Sequence, residues 1–257
     1  MPKLNFIKQG QGPVVVLSHA LGCDISMWDG VAAALQARYT VLRYDHRGHG
    51  QSEVVPGPYT MDLLADDAAA LIQAQVAGPV HFVGLSLGGM TAQALAARYP
   101  QLVSSIVIAN SASYYDDDAQ AMWRARVQTV LGQGMAAIAD GALQRWFTPE
   151  FRADVAGGGA ARVAALRERL EAVDAKAYAA SCEAVAGIDF RASNPRLTCP
   201  ALVIAGTRDE ATPVAMSQAM AQAIPGARLH TLDAAHLSAV EQPMAFASLV
   251  TEFLESL

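Results

Sequence analysis

Short β-branched runs recur along the chain, as VVVLSH at 14–19, TVLRYD at 40–45, VHFVG at 80–84, SSIVIAN at 104–110, ALVIAG at 201–206 and ARLHTL at 227–232. Most of them are apolar nearly throughout, and between most lie ten or more Ala-rich residues of helical character. Strands without polar alternation are covered on both faces, so this rhythm predicts β-α-β units, a mostly parallel doubly wound sheet with helices on either side. Ligands of such sheets collect beyond the carboxyl ends of the strands. One interval breaks the rhythm. Between Asn110 and Pro200 no strand pattern occurs, but helical stretches fall at 117–131, 134–146, 160–173 and 175–186, with TPEF and the AGGGA at 156–160 as breaks. The pattern predicts an inserted helical cap over residues 113–195, between core segments 1–112 and 196–257, seated above the strand ends.

Composition narrows the classes. At 257 residues, 53% hydrophobic and 16% charged, the chain suffices for one large α/β domain with a substantial core, and no cofactor or structural metal is expected. No apolar run reaches the ~18 residues of a membrane span. MPKLNFIKQG lacks the apolar stretch of a signal peptide, and Cys23, Cys182 and Cys199 are too few and scattered for a disulfide framework. A cytoplasmic setting is the expectation. A net charge of -6 with no basic stripe excludes broad nucleic-acid binding, so an anionic ligand must be held by local cations. Homo-oligomerisation stays open.

The chemistry starts at HFVGLSLGGM, residues 81–90. A strand-like run ends there, a helix-like run begins at Met90, and Gly84-Leu85-Ser86-Leu87-Gly88 forms G-x-S-x-G between them. Such a turn lifts a serine hydroxyl clear of the sheet. Taken alone, the pentapeptide serves equally well as a glycine-rich turn whose serine caps the helix.

A nucleophilic serine needs a base and a group that orients the base. In enzymes built on this motif the chain order is serine, acid, histidine, the last two following late strands. ALVIAGTRDEATP puts Asp209 just past a buried strand, and LHTLDAAHLSAVEQP puts His236 past the next. Of the other histidines, His81 and His230 lie within strands, His46 and His49 sit in the RYDHRGHG loop, and His19 precedes Ser86. Asp233, three residues from His236, reads as a turn former. Two backbone donors for an oxyanion are expected from Leu87 and, in SHALGCD, from Leu21. The Asp45, His46, His49 cluster, flanked by Arg43 and Arg47, reads as a buried turn with an ion pair rather than a metal loop. Cys23 reads as a packing residue.

With HALG, YDHRGHGQS, GLSLGG, GTRDEATP and DAAHLSAVEQP in this order, the chain resembles the α/β-hydrolase superfamily over nearly its whole length. HALGCDISMW, MWRARVQTVLGQGMAAIADGALQRWFTPEF and YAASCEAVAGIDFR are similar to the 3-oxoadipate enol-lactonases within it. The resemblance implies an α/β-hydrolase fold, Ser86 as nucleophile, Asp209 as acid, His236 as base, and a lactone substrate that bears a carboxylate. It also covers carboxylesterases and cofactor-free haloperoxidases or perhydrolases, and the fold is shared with non-catalytic ligand receptors. Two departures are visible: Ala20 stands where many relatives have glycine, and only LNFIKQG precedes the first buried strand, so an edge strand is expected to be shortened or absent. A carboxylate in an acidic protein needs a positioned arginine. The cap offers Trp123, Arg124, Arg126, Arg145 and Trp146. Arg124 and Arg126 flank a helix face on opposite sides, so at most one of them faces the pocket, and Arg126 with Trp146 is preferred.

Overall fold

The computed structural model describes residues 2–257. The chain opens on β1 (Phe6–Gln9), and from there the first half alternates as predicted: β2 (Val14–Ser18), α1 (Asp29–Leu35), β3 (Thr40–Tyr44), α2 (Met61–Gln75), β4 (Val80–Leu85), α3 (Leu87–Arg98) and β5 (Val103–Ala109). Five helices follow without a strand: α4 (Asp117–Gln133), α5 (Ala136–Trp146), α6 (Pro149–Ala153), α7 (Gly159–Ala172) and α8 (Ala175–Ala186). The chain then returns to the sheet through β6 (Ala201–Gly206), α9 (Val214–Ala223), β7 (Arg228–Leu232), α10 (Ser238–Glu241) and α11 (Pro243–Glu255).

Among the described residues seven strands form one sheet in the order β1-β3-β2-β4-β5-β6-β7. All neighbours are parallel except β1, which lies antiparallel on β3 with Phe6 opposite Tyr44. The edge strand expected to be short or missing is therefore present, four residues long. The inner strands β4, β5 and β6 are buried almost end to end, because helices cover both faces. β7, on the open edge, exposes Arg228, His230 and Thr231.

The insertion is tied off at its neck. Tyr114 and Asp189 form an isolated antiparallel bridge, and Phe190 N donates to Ser113 O at 2.8 Å, so the chain leaves and re-enters the core side by side. Asp116 caps α4 through Ala119 N, and Asp117 and Asp118 in the first turn complement the positive end of the helix. TPEF is not simply a break: Thr148 accepts from Phe151 N and Pro149 occupies the first helical position, a start signal that launches the single turn of α6. α4 packs along α8, and the two roof the carboxyl ends of β4 and β5.

Candidate active site

Ser86 sits where β4 turns directly into α3, with φ 56° and ψ -112°, and it is one of two non-glycine residues at positive φ among those described. The turn is locked by Ser86 N donating to Ala109 O at 2.9 Å and by Ser111 Oγ donating to Ser86 O at 2.8 Å. A Cβ on Gly84 would overlap the Gly88 carbonyl, and one on Gly88 would overlap the Ser18 carbonyl, so both arms require glycine for close approach. Ser86 occupies the N-cap position of α3, yet its side chain makes no capping bond. The capping role that the pentapeptide allowed is thus absent, and the hydroxyl is left for the cavity above it.

His236 Nδ1 lies 2.8 Å from Asp209 Oδ2, and both side chains are almost fully buried. Asp209 accepts five hydrogen bonds in all: Oδ2 also takes Asn110 Nδ2 at 2.9 Å and Thr212 Oγ1 at 2.7 Å, while Oδ1 takes the amides of Ala211 at 2.8 Å and Thr212 at 2.9 Å. Burial works against the charge, but the charge of His236 and these donors outweigh it and hold the carboxyl at about 2. The result is a fixed anion that orients the imidazole with Nδ1–H toward it and leaves Nε2 for the cavity.

Asn110, which the sequence reading did not single out, links this group to the sheet. It closes β5 in the left-handed region, φ 44°, with its amide N donating to Ile204 O at 2.8 Å. Its Oδ1 accepts from Ser238 Oγ at 2.6 Å. The signal was a lone polar residue ending the apolar run SSIVIAN.

The Leu21 and Leu87 amides, both buried, find no protein acceptor among the described residues. Two buried N–H groups without partners beside a serine are what an oxyanion hole requires. His19 shapes the first of them. Its Nδ1 is 2.8 Å from Ala20 O and its Nε2 accepts from His46 N at 2.9 Å, which uses both ring nitrogens of a neutral imidazole and fixes the Ala20–Leu21 peptide. Burial lowers the His19 pKa, in keeping with the neutral form. Asp45 spends its oxygens on Asn5 Nδ2, Ile25 N and Gln51 N, and Arg47 forms a buried bidentate pair with Asp67 at 2.5 and 2.7 Å. The RYDHRGHG loop therefore folds as a turn built around an ion pair. Cys23 is packed and its thiol pKa is pushed up by burial. Asp233 is exposed and pairs with Arg208.

Ser86, His236 and Leu21 line a cavity of about 50 Å³ beneath the cap. Its upper wall carries Arg126, Arg145 and Trp146, together with the buried Tyr115 and Tyr178. Arg126 lies over the Trp123 ring at 5.7 Å, and among the described residues neither it nor Arg145 has an acidic side chain in salt-bridge contact, Glu210 acting on Arg145 only from a distance. Burial, then the nearby charge of Arg126, lower the Arg145 pKa. Arg124 points elsewhere: it is exposed and does not reach the cavity, because it sits two residues round the helix from Arg126. Tyr115 and Tyr178 carried no sequence signal as wall residues.

The cap is fastened to the site at two points. Gly22, at φ 78°, brings the Leu21 loop so close that a Cβ would lie 2.6 Å from Leu170 Cδ1 and 3.5 Å from the Trp146 ring. Leu237 N donates to Trp146 O at 3.0 Å, and Glu241 bridges Ala235 N and Thr148 N, both at 2.6 Å. The end of α5 is thus bound to the loop that carries His236.

A profile of the family described as alpha/beta hydrolase fold matches residues 13–243. 3-Oxoadipate enol-lactonase 2 of Acinetobacter baylyi is 40% identical over 245 residues, covering 95% of this chain and 90% of that protein. The enol-lactonase of Burkholderia xenovorans LB400 superposes with a TM-score of 0.93 at 38% identity, covering 99% of this chain and 97% of that one. A thermophilic esterase from Thermogutta terrifontis, solved with malate bound, superposes with a TM-score of 0.92 at 29% identity, covering 99% and 94%. The chain belongs to the alpha/beta hydrolase fold family.

Proposed function

We propose that this ester-bond hydrolase opens the ring of 3-oxoadipate enol-lactone to give 3-oxoadipate, in the cytoplasmic breakdown of aromatic acids through the β-ketoadipate pathway. The observation that carries the reading is the pairing of a Ser86, His236 and Asp209 constellation with cap arginines that have no acidic partner, in a chain 40% identical to a named enol-lactonase. An anionic lactone is the ligand such a wall selects.

His236 takes the Ser86 proton as the oxygen attacks the lactone carbonyl, and the developing oxyanion is met by the free amides of Leu21 and Leu87. Collapse of the adduct breaks the ring C–O bond and leaves an acyl-enzyme on Ser86. The departing enol becomes a ketone, so its loss demands little general-acid help. Water activated by His236 then releases the acid. Arg126, steadied over Trp123, takes the substrate carboxylate, with Trp146 as the apolar wall.

The likeness to the Thermogutta terrifontis esterase favours a second reading, a carboxylesterase of broader scope. The two readings part in one assay: ultraviolet loss of authentic enol-lactone against hydrolysis of p-nitrophenyl acetate. The lactonase reading expects kcat/KM for the lactone to exceed that for the neutral ester by orders of magnitude. A preference for the neutral ester would establish the esterase instead.

A further inference from the structure

Two cations share the wall above Ser86, while the proposed substrate carries one carboxylate. Holding two half-buried guanidinium groups in one wall, with no acidic side chain in salt-bridge contact among the described residues, costs free energy: burial and then the charge of Arg126 lower the Arg145 pKa, against the opposing pull of Tyr178 and Glu210. A cavity that keeps such a pair is shaped for two centres of negative charge. The lactone has one at rest and acquires another in the reaction.

The attachment of the two arginines assigns them. Arg126 rises from α4 and lies over Trp123. Arg145 sits in the last turn of α5, one residue before Trp146, whose carbonyl accepts the amide of Leu237, the residue after His236. The Glu241 bridge between Ala235 N and Thr148 N fastens the same junction a second time. The end of α5 that bears Arg145 is therefore tethered to the loop that carries the imidazole, and Arg145 lines the cavity into which the leaving oxygen must depart past the nitrogen that has just taken the serine proton.

Resting on the reading of Ser86 as nucleophile and of an enol as leaving group, we propose that Arg145 is a second catalytic cation, which pairs with the negative charge forming on the departing oxygen while Arg126 holds the substrate carboxylate. When the tetrahedral adduct collapses, the ring C–O bond breaks and its electron pair moves to the oxygen as an enolate. The Arg145 guanidinium neutralises that charge without giving up a proton. The proton that His236 took from Ser86 passes to the enolate, which becomes the ketone, and His236 is again neutral to activate water. Arg145 thus does for this leaving group what the two free amides do for the carbonyl oxygen.

The test is the sensitivity of acylation to the leaving group. kcat/KM is measured for phenyl acetate and ring-substituted phenyl acetates up to p-nitrophenyl acetate, with wild type, Arg145→Met, Arg145→Lys and Arg126→Met. These esters carry neither lactone nor carboxylate, so the outcome stands apart from the identity of the natural substrate, which the enol-lactone assay decides separately. Arg145→Met is expected to lose on the order of 10²-fold on phenyl acetate but under about 10-fold on p-nitrophenyl acetate, giving a steeper dependence on phenol pKa, with Arg145→Lys in between. Arg126→Met is expected to keep the wild-type slope. Parallel lines for Arg145→Met and wild type would overturn the proposal and leave Arg145 as a substrate-holding group only. Circular dichroism of each variant checks folding, and Arg145→Gln replaces Arg145→Met in the same comparison if the latter does not fold.

Discussion

Asn110 Nδ2 donates to Asp209 Oδ2 at 2.9 Å, joining residues 99 positions apart, and it meets the same oxygen that His236 Nδ1 approaches at 2.8 Å. The acid is therefore held from beneath by the sheet as well as by its own loop. Asn110→Ala removes the donor and leaves an alanine at φ 44°, whereas Asn110→Gly removes the donor alone. Urea unfolding should show Asn110→Ala less stable than wild type by about 2–4 kcal/mol, with Asn110→Gly recovering about 1 kcal/mol of that. Equal stabilities for the two variants would mean that the backbone is unstrained there.

The Asp209 carboxyl titrates at about 2 in the folded protein, below its ordinary value. A depressed carboxylate adds stability that is present above the unfolded pKa of ~3.9 and is lost as pH falls through the folded one. Between pH ~4 and ~2 the stability gap between wild type and Asp209→Asn should narrow by about 2 kcal/mol. Denaturant titrations across that window check it, and a gap that stays constant would remove the charge from the account.

Gly88→Ala presses a methyl group into the Ser18 carbonyl, inside a turn with no room to shift. The variant should lose at least about 3 kcal/mol of stability or fail to fold. Gly132→Ala, where a Cβ meets nothing within 4 Å, is the matched control and should lose nothing, since alanine is the better helix former there. Thermal melts compare them.

Arg126 and Arg124 lie two residues apart on α4 and have opposite surroundings. Arg126→Met should raise KM for the carboxylated lactone by roughly 10–100-fold and leave KM for p-nitrophenyl acetate unchanged. Arg124→Met should change neither. Steady-state kinetics on both substrates decide it, and equal effects of Arg126→Met on the two esters would point to folding rather than recognition.

Much of this is legible in the amino-acid sequence, for physical reasons that differ by element. The buried parallel strands show because both faces are apolar; Ser86 and Asp209 stand out because each follows such a run, and His236 because it follows the next strand in the expected chain order. Backbone donors leave no side-chain trace, so Leu21 and Leu87 rest on position alone. Asn110 was overlooked because its role depends on a left-handed backbone and on partners from two later loops. Helical periodicity separated Arg124 from Arg126, but it could not bring Arg145 to the same cavity as Arg126, since that depends on how α5 packs against α4 and is latched to Leu237. The four residues of β1 were too few to stand out until β3 was there to pair with them.

The central claim is that Ser86 attacks the lactone carbonyl. The most direct measurement is kcat for loss of enol-lactone absorbance with wild type and with Ser86→Ala, a substitution that removes one hydroxyl from a turn in which that hydroxyl caps nothing. By analogy with serine proteases, kcat should fall on the order of 10⁶-fold with the fold intact. Lactone opening by Ser86→Ala at a rate near that of wild type would contradict the account.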